Sequence, residues 1–410
     1  MGAPAQRTIP TPLSRALPLI GAAAIVLGVI LLLRSITPHI DFNDGYGYDG
    51  VAYADMVRAF RGQSDGALLA ERPHYAYRPL PAMLVAASGL NIKIGFLAMN
   101  LAAFIASGPI LLLLLRAYGS PTSASLLAVF WWAVLPAAVR YAIYYPVLID
   151  GIGLLFMLAI LAAAAWRRVA LFAVLLAFGV LARENLVILV PFLWFRLLPL
   201  GIRRASVLTL LAALPGAMAF EAVRLAPPIP SPQAFSVLVE FRQNFEWLLQ
   251  NATDRAWRFV AAGPTTLGLL FVIPLVRPRS SVRFLRAQPE WAYYLISTLA
   301  LIVVGGGDFD RYFLFFVPAL ALLTFTAAAP MWSSVARSVV LTTIQLIAVR
   351  FGWPVGPSEE QYLTYTVATM TLARLRDVVW LAAAGALAAA LAIARPWRRF
   401  ASHDGGGKSA

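Results

Sequence analysis

Apolar residues along this chain gather in long unbroken runs and seldom alternate with polar ones. The first run, "LPLIGAAAIVLGVILLL" at residues 17–33, is followed directly by Arg34. Runs of roughly 17 to 25 apolar residues are long enough to cross a hydrocarbon core as helices. They recur near 16–33, 94–115, 122–139, 147–165, 205–225, 259–276, 290–305, 312–330, 337–350 and 376–394. Two segments fit a simple crossing less well. Residues 79–92 are short enough to be either a half-helix or a full span. "RRVALFAVLLAFGVLARENLVILVPFLWFRLLPLGIRR" has basic residues at both ends, which predicts a hairpin of two short helices with "ARE" near its apex. The fold class expected is all-α: a polytopic transmembrane protein of about 10 to 13 membrane helices, with a first loop that carries interfacial helices.

Composition agrees with this reading. Hydrophobic residues make up 60% of the chain and charged residues 13%, against about a quarter charged in soluble domains. Mean hydropathy is +0.76. No soluble domain of 50 residues or more can be cut from such a chain. The first run is longer than a signal-peptide core and lacks a small-residue cleavage site, so it is read as a retained helix.

Charge orients the spans. The net charge of +14 comes from arginines clustered in short connections, as in the cytoplasmic loops of membrane proteins. Clusters at Arg167–Arg168, Arg203–Arg204, Arg277 to Arg286 and Arg395 to Arg399 are expected inside. Residues 1–15 then form a cytoplasmic tail, 16–394 a single transmembrane domain and 395–410 a basic cytoplasmic tail. Loops at about 35–78, 227–257 and 351–374 face outward, and they carry most of the carboxylates. Glu290 and Asp404 are expected inside. Tyr53, Val57 and Phe60 fall on one helical face in the first loop, as do Phe235, Leu238, Val239, Phe245 and Leu249 in the second. Both segments are expected to lie in the interface plane. No basic face interleaved with aromatics stands outside the short loops, which argues against a nucleic-acid partner. The chain has no cysteine and only His39, His74 and His403, which excludes thiolate sites and disfavours a histidine zinc site.

The stretch "DFNDGYGYDG" contains a literal G-x-G-x-x-G at Gly45, Gly47 and Gly50. A dinucleotide fingerprint needs a strand before it and a helix after it; here a membrane helix leads in, so a nucleotide loop is not expected. The terminal "HDGGGKSA" likewise has no helix after it.

Ionisable residues at a membrane border are costly and mark functional positions. Four groups are expected on the outer face. The first is the glycine-rich loop, with Asp41, Asp44 and Asp49. "HYAYRPLPAML" contributes Arg78, whose planar guanidinium suits a phosphate. "RYAIYYPVLIDG" contributes Arg140, Tyr145 and Asp150. The last group joins Arg183 and Glu184 of "ARE" to Asp310 and Arg311 of "GGGDFDRYF". Acid, arginine and tyrosine on one face fit attack by a hydroxyl on a sugar whose leaving group is a lipid phosphate. A carboxylate would take the proton, arginines would stabilise the departing phosphate, and no second catalytic carboxylate would be needed. A transporter or flippase of a lipid-linked or anionic substrate is the alternative, although the chain shows no repeated halves.

These motifs, in this order, resemble the GT-C class of integral-membrane glycosyltransferases. "YDGVAYADMVRAF" followed by "YAYRPLPAML" is similar to the Y-D-G … Y-R-x-x-x-x-P pattern of many bacterial members. "VLARENLVIL" is similar to their L-x-R-E segment, and "DFDRYFLFFVPAL" to R-Y-x-x-x-x-x-P. The resemblance covers roughly residues 15–330. It implies a polyprenyl-phosphate sugar donor, a lipid or glycan acceptor among the membrane lipids, and an outward site in the cytoplasmic membrane. It also implies that Asp49 is the general base, with Asp44 and Asp41 as competitors, and that Arg78, Arg183, Glu184 and Arg311 line the cavity. The adjacent acidic pair of some branches is absent, which leaves the need for a divalent cation (Mg or Mn) open.

Overall fold

Inside hydrocarbon a backbone can pair its polar groups only within helices or closed barrels. The computed structural model describes residues 12–71, 73–225, 262–304, 309–351 and 356–362, with isolated positions between 242 and 250 and at 385. No strand occurs among these residues. The helices that build the site are α1 (Pro12–Arg34), α2 (Asp49–Phe60), α3 (Pro79–Ser88), α4 (Ile92–Ala117), α5 (Thr122–Ala133), α6 (Asp150–Ala165), α7 (Val169–Ala182), α8 (Val190–Leu197), α9 (Ile202–Leu225), α10 (Pro289–Val304) and α11 (Val335–Ala348).

Among the described residues three helices are long and apolar enough to cross a membrane, namely α1 from Ala16, α4, and α9 as far as Val223. The pair Thr122–Ala133 and Pro136–Tyr144, bent by 45°, makes up to a fourth. This is fewer than the continuous apolar runs predict: α6, α7 and α11 are unbroken apolar helices of only 16, 14 and 14 residues, and other runs are broken locally. The run 122–139 breaks at Leu135, ahead of Pro136, where proline removes a helical donor. The run 259–276 breaks at Gly268, φ +56°. The run 312–330 forms one shorter apolar helix, Arg311–Ala327, with 3-10 and π turns along it. An apolar run reads the same whether its helix is whole or broken, because broken backbone is tolerated where protein covers it. The expected span 376–394 and the amphipathic stretch 235–249 lie outside the described residues, apart from isolated positions.

Residues 79–92 resolve into α3, ten residues ended by Gly89 in the left-handed conformation. At 1.5 Å per residue it is about 15 Å long, half the hydrocarbon thickness. Asn91 then caps α4, its side chain accepting from the Lys93 N–H at 3.1 Å. The "ARE" segment forms the expected hairpin. α7 ends at Ala182, Arg183 is extended, and Glu184–Leu189 makes a 3-10 turn into α8. The returning arm reaches the starting end, since Arg196 Nη2 donates to the Ala165 carbonyl at 2.9 Å.

The helices pack as a row: α1 on α4, α4 on α6, α6 on α7 and α7 on α9. Trp131, Trp132, Phe104 and Phe172 are fully buried in the main core. A second core beneath the first loop joins Tyr53, Met56 and Val57 of α2 to Val85 and Phe96, so the face expected to lie against the membrane interface is instead covered by protein, with Phe60 half-buried. α6 fixes the scale of the row. It begins at Asp150 and ends just before Arg167–Arg168, which sets these charges about 24 Å apart. The buried pair of Glu290 with Arg196, 3.0 Å, lies at the arginine end.

Candidate functional site

At the Asp150 end of the row, five stretches that are distant in sequence bring their charges together. The glycine loop supplies the first. Gly45 and Gly47 adopt φ of +72° and +62°, a region that disfavours residues with a Cβ. A Cβ on Gly47 would land on the Tyr145 ring. The chain reverses here and starts α2 at Asp49, where a carboxylate complements the helix dipole. The Tyr145 hydroxyl accepts from the Gly50 N–H at 3.0 Å and holds that start in place. Tyr145 belongs to an aromatic cluster with Tyr141, Tyr144 and Tyr362.

Asp49 accepts from Tyr75 Oη at 2.8 Å on one oxygen and from Arg311 Nη1 at 2.6 Å on the other. Arg311 turns its Nε to Asp150 at 2.9 Å. The other oxygen of Asp150 takes Arg183 Nη1. Arg183 can reach because Gly153 lies beneath it; a Cβ there would stand 3.1 Å from Arg183 Cδ. Its guanidinium also lies over the Phe315 ring at 4.7 Å, a favourable cation–π distance. Because Arg183 is extended, Glu184 points elsewhere than Arg183 does. It grips Arg78 with both oxygens, 2.6 Å to Nε and 2.5 Å to Nη2. Arg78 Nη1 donates to Tyr53 Oη at 3.2 Å. Three carboxylates and three guanidiniums thus balance one another. The Arg183 Nε remains buried with no hydrogen-bond partner among the described residues.

Burial pushes the Asp49 carboxyl up, but Arg311 and the Tyr75 hydroxyl outweigh it and hold the carboxyl below the ordinary range. Tyr75 is pushed up, first by burial and then by the Asp49 charge, so it stays a donor. Tyr48, next to Asp49, is raised to about 12 by its hydrogen bond to Glu359.

Not every residue singled out in the sequence joins the network. Asp44 is exposed in the turn at φ +53°, and Asp41 is exposed beside it. Arg140 is buried in a π turn and donates to the Arg350 carbonyl at 3.1 Å, which ties it to the end of α11. The side chain of Asp310 lies outside the described residues. Tyr145 supports the helix start and does not touch the charges directly. Tyr75 in the network and Asn100 beside it were not singled out, and Tyr53 was read only as part of the apolar face of α2. Tyr75 stands in "HYAYR", three residues before Arg78. Asn100 is a lone amide in the apolar run "FLAMNLAAF", a position where a polar group needs a partner. Its Nδ2 donates to the carbonyls of Pro146 at 3.1 Å and Leu148 at 2.7 Å, securing the extended chain that delivers Asp150.

Beside the network, α7, α9, the 3-10 turn and the start of α8 line an open-sided cavity of about 760 Å³, within the roughly 300–1,000 Å³ of small-molecule sites. Its walls are apolar, with Leu176, Val180, Ile188, Ala217 and Phe220, and its polar edge includes Glu184. Among the described residues no three His, Asp or Glu side chains gather as a metal site. Asp49 and Asp150 do approach each other, but the Arg311 guanidinium fills the space between them. These residues therefore do not fit a divalent cation.

No protein-family model, no curated protein and no solved structure matches this chain.

Proposed function

We propose that the protein transfers a sugar from a polyprenyl-phosphate donor to an acceptor hydroxyl, on the outer face of the cytoplasmic membrane. One observation carries the reading: Asp49, Asp150, Glu184, Arg78, Arg183 and Arg311 converge at one end of an apolar helical row. The cavity beside α7 and α9 is apolar enough to take a prenyl chain, and Glu184 in its lining is paired with Arg78.

In the reaction the acceptor oxygen forms a bond to the anomeric carbon while the bond from that carbon to the phosphate oxygen breaks. The acceptor proton passes to Asp49, and the electron pair leaves with the lipid phosphate. Asp49 is held ionised, as a base must be, and is weakly basic while Arg311 and Tyr75 occupy its oxygens. A phosphate that draws Arg311 toward itself raises the proton affinity of Asp49 at the moment the acceptor needs it. Arg183, with a buried unpartnered Nε, offers a donor to the charge that develops on the leaving phosphate. No step is routed through a metal ion.

The test uses membranes holding the protein and labelled polyprenyl-phosphate mannose, glucose, galactose and arabinose. The wild type is expected to consume one donor, and Asp49→Asn to abolish that consumption. Consumption that survives Asp49→Asn moves the base to Asp44 or Asp41. No consumption of any donor, with native lipid acceptors present, overturns the transferase reading in favour of transport.

A further inference from the structure

Of the three carboxylates in the network, Glu184 is held differently. Asp150 is shared by two guanidiniums and its side chain is only 8% exposed. Asp49 is bound by Arg311 and Tyr75. Among the described residues Glu184 has a single ion-pair partner, Arg78, and its side chain is 31% exposed. It also lines the apolar cavity. Its two oxygens meet Nε and Nη2 of Arg78 side by side, the two-pronged geometry in which a guanidinium takes either a carboxylate or a phosphate. The Arg78 fork is therefore filled by an anion from the protein's own chain, Glu184, which itself lines the apolar cavity.

We infer that Glu184 is a built-in stand-in for the phosphate of a lipid ligand, occupying the Arg78 fork between turnovers and displaced by the phosphate on binding. The inference rests on the proposed reading and adds how the product leaves. The donor phosphate is a diester with one negative charge. Breaking its bond to the sugar leaves a monoester with a charge of about −1.5 to −2 near neutral pH, which an arginine holds more strongly than the donor. A site optimised only for holding phosphate would then keep its product. The Glu184 carboxylate competes for the same fork from 2.5 Å away, so product release is a swap of one anion for another and leaves no bare buried cation. The extended backbone of Arg183 and the 3-10 turn that starts at Glu184 seat the carboxylate where a regular helix would have turned it aside.

The experiment measures binding of farnesyl phosphate and of farnesol to the full-length protein in detergent, with thermal unfolding as a check on folding. The wild type is expected to prefer farnesyl phosphate. Glu184→Gln, which keeps the shape and loses the charge, is expected to bind farnesyl phosphate about tenfold more tightly, equivalent to about 1.4 kcal/mol, with farnesol unchanged. Arg78→Gln is expected to lose the preference. A purely structural role for Glu184 predicts weaker binding of both probes. If the wild type prefers farnesyl phosphate and Glu184→Gln binds it no more tightly, the stand-in is refuted and the reading of the site survives. If the wild type does not distinguish the two probes, phosphate recognition itself fails, and the inference with it. Should Glu184→Gln not fold, Glu184→Asp, one methylene too short for the fork, is expected to tighten farnesyl phosphate binding severalfold; no tightening there also refutes the stand-in.

Discussion

Replacing Asp150 with asparagine tests the physical basis of the whole network. The Asp150 side chain is 8% exposed, and its oxygens take Arg183 Nη1 and Arg311 Nε. The two guanidiniums are themselves only 4% and 9% exposed. Asparagine keeps the volume and removes the charge. Arg311 retains Asp49 at 2.6 Å, while Arg183 is left as a buried cation with no carboxylate. Removing one partner of a buried pair costs about 3–5 kcal/mol, because the remaining charge stays desolvated. Arg183→Met is expected to cost less, about 1–3 kcal/mol, since Asp150 still has Arg311. The double variant leaves no orphaned cation, so it should be more stable than the sum of the two losses by at least about 1.5 kcal/mol. The assay is a double-mutant cycle on unfolding free energy in detergent micelles, read by tryptophan fluorescence. Strict additivity, or an Asp150→Asn protein within about 0.5 kcal/mol of wild type, would refute the reasoning.

Three further outcomes are expected. Gly47→Ala and Gly62→Ala both place a Cβ at positive φ, yet a Cβ on Gly47 meets Tyr145 and one on Gly62 meets nothing within 4 Å. Gly62→Ala should cost about 1–2 kcal/mol, and Gly47→Ala about 1–3 kcal/mol more from overpacking, both read by the same unfolding titration. Asn100→Leu strips the Pro146 and Leu148 carbonyls of their donor; about 1–3 kcal/mol per carbonyl is expected, together with lost activity as Asp150 shifts. Asp49 has a folded pKa below its unfolded value, so its contribution to stability is fully present above about pH 4 and is lost as pH falls through the lower folded value. The acid limb of the kcat/KM profile, which reports the free enzyme, should therefore lie below about pH 4 if Asp49 governs it, and Arg311→Gln, which leaves burial unopposed by that charge, should move it upward; an unmoved limb would exclude Asp49 as the titrating group.

The helical character, the hairpin around "ARE" and the apolar face of α2 were legible in the sequence, because hydrophobic periodicity and run length are one-dimensional records of what must be buried. The charged residues were legible too, since a buried or interfacial charge is costly wherever the chain carries it. Asp49, Arg78, Asp150, Arg183, Glu184 and Arg311 all stand out for that reason. Their pairing was not legible: adjacent Arg183 and Glu184 look like partners, but the extended backbone at Arg183 sends one to Asp150 and the other to Arg78. Nor could run length reveal that several apolar stretches are broken at Pro136 and Gly268, or that Arg140 is tied to Arg350. Run length and charge are properties of the chain alone. Which guanidinium meets which carboxylate depends on helix breaks and on close approaches such as Gly153 against Arg183, and those exist only once the helices have packed.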